Sequence, residues 1–298
     1  MRLVAAVDIG GTRTKLGVVG EDGSIVRRTT IPTPARGEPE QLVSGIGATL
    51  GRMIDALHPE VVDGVGVSVA GFLDAEREAM VGNANLPLLC EFPLRRALER
   101  ATGLAARLEV DSNAAAIAEH RHGAGVGARR LLSIAIGTGL GGGVIVDGRM
   151  LRYTGACAGD LGHVIIDHDG RQCSCGARGC LEAMVSSSAL SERAGGLPVR
   201  EVVGRARAQD RTALAALEET GWWLGLGLAS LAPLFAPDRI VVGGGVAAAG
   251  ELLLEPARAS YREHAAADQR DRARIVGSIF EGWDGMIGAA SGFLQPME

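Results

Sequence analysis

Asp111 stands where the strand-like run Leu108-Glu109-Val110 meets Ser112-Asn113-Ala114-Ala115-Ala116, which makes it a carboxylate at the start of a helix. The unpaired amides of a helix N-terminus favour its ionised form, and that suits it to take a proton from a hydroxyl. Asp is equally a good N-cap, so position alone leaves both roles open. A second acid, Asp8, precedes Ile9-Gly10-Gly11-Thr12-Arg13-Thr14-Lys15, where bare backbone, a hydroxyl and a cation come together. Amides exposed in such a turn can hold phosphate oxygens, and Asp8 can hold a magnesium ion through water. Gly137-Thr138-Gly139-Leu140-Gly141-Gly142-Gly143 repeats the arrangement. Neither is a Walker loop, because no Gly-Lys-Ser/Thr opens a helix. Neither is a dinucleotide fingerprint, because each turn leads into a strand. Gly243-Gly244-Gly245-Val246 differs: it follows a strand and opens a helix, so either a nucleotide's sugar or base approaches Gly244 and Gly245, or the glycines serve strand-to-helix packing.

Cys173, Cys175 and Cys180 place three soft ligands within eight residues, among glycines that permit tight turns. His163 or His168 supplies a fourth ligand for tetrahedral zinc. With four protein ligands no position is left for a reactive water, so the expected role is structural. Cys90 and Cys157 are expected to pack as small apolar side chains.

These residues need a frame. Val4–Thr12, Leu16–Val19 and Ile25–Arg28 form strand, glycine turn, strand, turn, strand, and Leu131–Gly139, Gly143–Val146 and Met150–Arg152 do the same. Aligning Ile9 with Ile136 superposes the two, which reads as an internal repeat. Between and after them, helical spacing covers 38–57, 93–102, 112–122, 213–234 and 251–264, and strands are expected at 61–69, 105–110 and 238–242. Alternating β and α elements in two related halves predict an α/β protein of two domains with a cleft between them. The expected division is a smaller N-terminal domain over 1–115 and a larger one over 116–298 that carries the zinc site, with a C-terminal helix near 285–298 packing back on the first.

Composition narrows the function. The 298 residues are 47% hydrophobic and 22% charged, as in a globular protein with a sizeable core. A net charge of −5 gives no surface suited to nucleic acid or anionic lipid. The 14-residue apolar stretch Trp222–Phe235 is too short to span a bilayer, and Met1–Asp8 is too short an apolar run for a signal peptide. Clustered cysteines do not resemble a secreted disulfide framework, so the cytoplasm is the expected location.

Together these motifs resemble the ROK family (repressor, open reading frame, kinase) of the actin-like ATPase superfamily, over nearly the whole chain. Asp8-Ile9-Gly10-Gly11-Thr12 resembles the first phosphate motif and Gly137–Gly143 the second. Ala156-Cys157-Ala158-Gly159-Asp160-Leu161-Gly162-His163 resembles the family's sugar segment. Cys173-x-Cys175-Gly176-x-x-Gly179-Cys180-x-Glu182 matches its zinc signature without a gap. The resemblance implies two actin-like (ribonuclease H-like) domains and transfer of the γ-phosphoryl group of ATP to the primary hydroxyl of glucose or a glucose-like sugar. It implies Asp111 as catalytic base and Asp8, Gly10, Gly11, Thr12, Lys15, Gly137, Thr138, Gly139, Gly141, Gly244 and Gly245 as the ATP and magnesium site. Gly71, Asn85, Asp111, Asp160, His163 and Glu182 would bind the sugar, and His163 would also bind zinc with the three cysteines. A homodimer or dimer of dimers is implied, with no nucleic acid or membrane partner.

Two residues depart from the family pattern. Val110 stands where an asparagine usually bonds sugar hydroxyls, and Asp160 replaces a glutamate one methylene longer. Both lie on the sugar side, so an amino sugar (kanosamine or an N-acylhexosamine) or a C7-cyclitol stays open beside glucose. A sugar-responsive repressor is disfavoured, since Asp8 lies too near the first residue for a preceding DNA-binding helix pair. A sugar sensor without kinase activity is disfavoured by the presence of Asp8, Asp111 and both glycine turns.

Overall fold

The structure, a computed structural model, describes residues 1–82, 86–152 and 160–297. In chain order its elements begin with strands β1 (Leu3–Ile9), β2 (Arg13–Gly20) and β3 (Ile25–Pro32), helix α1 (Pro39–Asp55) and strand β4 (Val62–Val69). The short strands β5 (Phe72–Leu73) and β6 (Met80–Gly82), helix α2 (Leu94–Thr102), strand β7 (Ala106–Val110) and helix α3 (Asp111–His122) follow. Strands β8 (Arg130–Ile136), β9 (Leu140–Val146) and β10 (Arg149–Met150) come next, then helices α4 (Leu181–Val185), α5 (Ser187–Arg193), α6 (Val199–Arg207) and α7 (Arg211–Phe235). The chain closes with β11 (Arg239–Gly243), α8 (Glu251–His264), β12 (Arg274–Gly277) and α9 (Asp284–Leu294).

The two five-stranded sheets have the same plan: β3-β2-β1-β4-β7 and β10-β9-β8-β11-β12. In each, an antiparallel hairpin (β1–β2, β8–β9) leads, and its first strand is flanked on the other side by parallel strands. Ile9 and Ile136 are the last residues of β1 and β8, so the repeat read in the sequence superposes strand on strand. The described residues of Met1–His122, Arg149–Gly159 and Trp283–Glu298 group into one compact unit, and those of Gly123–Gly148 and Asp160–Gly282 into a second.

In the first unit β1 is buried along nearly its whole length, because both faces are covered. Leu3, Ala5 and Val7 join a core with Ile46 and Leu50 of α1, and the alternate residues Val4 and Ala6 pack with Met286 and Ala290 of α9. The close approach of α9 to α3 depends on a glycine. A Cβ at Gly288 would lie 1.7 Å from the Ala114 carbonyl oxygen. In the second unit α7 is capped by Asp210, which accepts the Ala213 amide proton at 2.9 Å. Its row Leu217, Leu224, Leu228 and Leu231 is fully buried. Helix α8 packs beside it, with the Ser260 hydroxyl donating to the Trp222 carbonyl at 2.7 Å. Among the described residues no helix is long and apolar enough to cross a membrane.

Candidate functional site

Three strand ends of the first unit carry polar side chains in one row. Asp8 on β1 is in register with Ser68 on β4, and Ser68 with Glu109 on β7. Paired positions of parallel strands share a sheet face, so the three side chains lie on one side. The buried Ser68 hydroxyl donates to Asp8 Oδ1 at 2.8 Å. Lys15, opposite Asp8 on β2, places Nζ 3.0 Å from Asp8 Oδ2. Between them Gly10, Gly11 and Thr12 make the turn, closed by the Gly10 amide donating to the Arg13 carbonyl at 3.1 Å. The two anchors hold the Asp8 carboxylate in one orientation, and its side chain keeps 14% of its exposure. That donor set suits a hard cation met through water, as expected for magnesium.

Helix α9 brings residues to this turn that spacing did not single out. Burial, with the nearby charge of Asp8, pushes Asp284 above the usual carboxylate range. The Arg28 guanidinium stacks 4.7 Å from the Trp283 ring centroid, and Lys15 Nζ is 6.0 Å from the same ring. Nothing in a linear motif ties positions 283–284 to Asp8, because the tie is made only when the last helix returns to β1.

Asp111 is the first residue of α3, directly after β7, and its Oδ1 accepts the Ser112 amide proton at 2.7 Å. The carboxylate therefore lies at the unpaired amides of a helix start, as the sequence indicates. Gly71 follows β4 with φ of 121°, a conformation that L side chains rarely adopt. Asn85 lies outside the described residues, as do residues 153–159, which contain much of the sugar segment.

In the second unit the turn between β8 and β9 holds Gly137, Thr138 and Gly139, and Gly141 lies in β9. The turn is fixed from outside itself. Glu182, in the first turn of α4, accepts the Leu140 amide proton on Oε2 at 2.9 Å, and its Oε1 accepts the Ser174 hydroxyl proton at 3.3 Å. The Ser187 amide donates to the Gly137 carbonyl at 2.8 Å. A Cβ at Gly137 would meet nothing within 4 Å, so a ligand can reach that backbone. The glycines after β11 divide in the same way. Gly244, at φ of 84°, would put a Cβ 2.4 Å from the Ile136 carbonyl oxygen, whereas Gly245 faces open space. Gly244 is thus accounted for by packing against β8, and Gly245 is open to a ligand. The helix expected directly after these glycines is a single 3₁₀ turn, Val246–Ala249, and α8 begins at Glu251.

One ligand atom from each of His163, Cys173, Cys175 and Cys180 falls within 4.8 Å of the other three. Cys175 Sγ is 3.7 Å from Cys180 Sγ, and Cys173 Sγ is 3.6 Å from His163 Nδ1. Tetrahedral ligands at Zn–S and Zn–N distances of about 2.3 and 2.1 Å would be separated by roughly 3.6–3.8 Å. The four residues fit zinc. Without an ion, burial pushes the Cys180 thiol up to about 12, so a bound cation is what would hold this group as thiolate. His168 is not part of the cluster; it is exposed, with Nε2 2.9 Å from Asp169 Oδ2. His163 Nε2 faces Asp160 Oδ2 at 3.5 Å. Burial raises Asp160, aided by the charge of Glu182, and His163 opposes the shift. Cys90 is a free, partly buried thiol, and Cys157 lies outside the described residues.

The sequence pattern of the ROK family matches residues 4–295. The chain is 34% identical to the glucokinase of Streptomyces coelicolor, with 99% of each protein covered. It is 32% identical to an N-acetylmannosamine kinase of Escherichia coli, with 92% of this chain and 96% of that one covered. The crystal structure of a ROK family glucokinase from Streptomyces griseus, in complex with glucose and AMPPNP, superposes with a TM-score of 0.85 at 34% identity. The match covers 97% of this chain and 98% of that one.

Proposed function

The chain belongs to the ROK family, and from that membership we propose how its residues divide the labour of an ATP-dependent hexose kinase. Its two α/β units have the actin-like ATPase fold. Asp111 takes the proton from the primary hydroxyl of the sugar while that oxygen attacks the γ-phosphorus of ATP; the bond to the β-phosphate oxygen breaks and ADP leaves. The Ser112 amide at the start of α3 donates to Asp111 Oδ1 and orients the carboxylate to accept. The turns at Gly10–Thr12 and Gly137–Gly139 and the backbone at Gly245 receive the nucleotide phosphates and ribose, with Gly137 and Gly245 open to the ligand. Asp8, oriented by Ser68 and Lys15, would hold magnesium, whose charge neutralises developing negative charge on the phosphoryl oxygens.

The cysteines and His163 Nδ1 would hold zinc, whose part is to fix loop geometry. The ring is then oriented with Nε2 toward Asp160, and both groups are offered to sugar hydroxyls. The observation that carries the reading is the position of Glu182. One carboxylate joins the β8–β9 turn to Ser174 of the cysteine loop, so the phosphate turn and the metal cluster are built as one piece.

Glucose or a glucose-like sugar is the proposed acceptor. The reading of an N-acylhexosamine rests on the E. coli relative and on Val110 and Asp160, which each lack reach that the family pattern provides. A homodimer or dimer of dimers is proposed on the family resemblance, and the cytoplasm on the clustered cysteines, which do not resemble a secreted disulfide framework. The test is ADP release with Mg-ATP against glucose, mannose, N-acetylmannosamine, N-acetylglucosamine, kanosamine and a valiolone-type cyclitol, beside Asp111→Asn. One strong acceptor is expected, with kcat reduced roughly 10²–10⁴-fold in the variant. Activity retained in Asp111→Asn would overturn the assignment of the base. A best acceptor bearing an N-acyl group would replace glucose.

A further inference from the structure

Glu109 is a carboxylate buried to 7% exposure, two residues before Asp111, with every oxygen engaged. Its Oε1 accepts the Val110 amide proton at 3.2 Å and the Asn113 side-chain amide at 3.1 Å. Its Oε2 faces two guanidinium groups, Arg152 at 2.8 Å and Arg77 in direct contact. Burial alone would raise the Glu109 carboxyl, but the two arginines hold it below the usual range, so it is charged at neutral pH.

These partners come from parts of the chain far apart in sequence. Arg77 lies between β5 and β6, Arg152 follows β10, and Asn113 is in the first turn of α3. Arg152 also donates to the carbonyl of Met297, beyond the end of α9. Three segments thus converge on one carboxylate at the corner where β7 turns into α3, and a fourth, at Met297, holds Arg152. That corner carries Asp111. A strand-to-helix corner has few hydrogen bonds of its own, since the first amides of a helix lack intrahelical partners. Its geometry is therefore set by whatever grips it from outside.

We propose that Glu109 is a positioning residue for phosphoryl transfer: by binding Arg77, Arg152, Asn113 and the Val110 amide at once, it fixes the corner that aims Asp111 at the acceptor hydroxyl. The inference rests on Asp111 being the base. A proton acceptor works only within hydrogen-bond reach of the hydroxyl, and small displacements at a reacting centre are expensive in rate. Glu109 itself touches no reacting atom. Its effect passes through Asp111.

The test is a kinetic double-mutant cycle on the full-length, metal-loaded enzyme with the best acceptor of the panel. Glu109→Gln keeps an oxygen for the Val110 and Asn113 donors and removes the charge that grips the arginines. Expected is a 10–100-fold fall in kcat with KM for ATP changed less than 3-fold. In the Asp111→Asn background the same substitution is expected to cost less than 3-fold, because a base that is absent cannot be misaimed. Arg77→Lys, on a part-exposed loop, retains charge but loses the planar fork, and is expected to lower kcat 3–10-fold with the same non-additivity. It carries the test alone if Glu109→Gln does not fold. An equal factor in both backgrounds, a matching rise in KM for ATP, or full activity in the variants would overturn the proposal. Full activity in Asp111→Asn would remove the base assignment itself, an outcome distinct from the others.

Discussion

The turn between β1 and β2 and the turn between β8 and β9 occupy the same place in the same topology, yet they are stabilised by opposite means. The first carries its own charges: Asp8 and Lys15 lie across from each other on the two strands, and Ser68 comes from the adjacent strand of the same sheet. The second is bare backbone with no charge of its own, and its order is lent by Glu182 and the Ser187 amide, which follow the cysteine loop. A duplicated frame therefore fixes where a turn lies but not what holds it. The first turn depends on its sheet; the second depends on a loop whose His163 and three cysteines would hold a metal.

The strongest way to break that comparison is to chelate the zinc proposed for the cysteine loop. Structural zinc supplies apparent binding energies of about 10–16 kcal/mol in small zinc domains, so losing a zinc bound here would exceed what this loop can absorb. Chelation is expected to abolish kinase activity. It should also raise amide exchange at least ten-fold in peptides covering 137–143, through loss of the path from Ser174 to Glu182 to the Leu140 amide. Peptides covering 8–15 should be unchanged. Hydrogen exchange read by mass spectrometry, with zinc content measured in parallel, decides the matter. Equal loosening of both turns would show that they are not independently held.

A smaller effect distinguishes the buried charges of the first unit. Glu109 is buried but the Arg77 and Arg152 side chains are part-exposed, so removing its charge is expected to cost about 1–3 kcal/mol and to lower the melting temperature of Glu109→Gln at pH 7. The sign of the pH dependence follows from the lowered carboxyl. In the unfolded chain Glu109 titrates near 4.3, and in the fold it titrates lower. Between those values the unfolded state binds more protons, so stability rises with pH there; the contribution is complete above the ordinary value and lost as pH falls through the folded one. Thermal unfolding of parent and variant from pH 7 to pH 3 should therefore show a gap that narrows on acidification. A gap constant across that range would mean that Glu109 is not charged in the fold.

Much of this arrangement was legible in the sequence, for identifiable reasons. Helix α8 was read at its observed bounds, Glu251–His264, because a glycine precedes it and its apolar positions recur at helical spacing. The two three-stranded units were visible because each carries a glycine turn and an apolar alternation that need no distant partner. The cysteine cluster was legible because its ligands lie within a few residues of one another. Linear reading failed where residues meet only in the folded sheet. Ser68 sits in an apolar strand with no motif around it, Asp284 follows the chain's last tryptophan, and Glu109 looks like any acid near a strand end. Helices α4, α5 and α6 were also not singled out; α4 and α5, at 5 and 7 residues, are too short for their periodicity to rise above a loop. The glycines after β11 show the limit within a motif: three adjacent identical residues serve different ends, and only the packing of Ile136 against Gly244 separates them.

The finest division lies within the second turn. A Cβ at Gly139 would sit 2.6 Å from Glu182 Oε2, while one at Gly137 meets nothing. Gly139→Ala must push Glu182 away from the Leu140 amide. It is expected to cost about 1–3 kcal/mol of stability and to raise the KM for ATP, since the turn loses its outside support. Gly137→Ala should leave stability within about 0.5 kcal/mol, as surface changes without a lost contact usually do. Its methyl nevertheless enters the space through which a phosphate reaches the backbone, so the KM for ATP is expected to rise about ten-fold with melting unchanged. Two alanines two residues apart thus separate a glycine kept for the protein's own packing from one kept for the ligand. If Gly137→Ala binds ATP as well as the parent, the nucleotide phosphates do not rest on this turn, and the likeness between the two turns is one of fold alone.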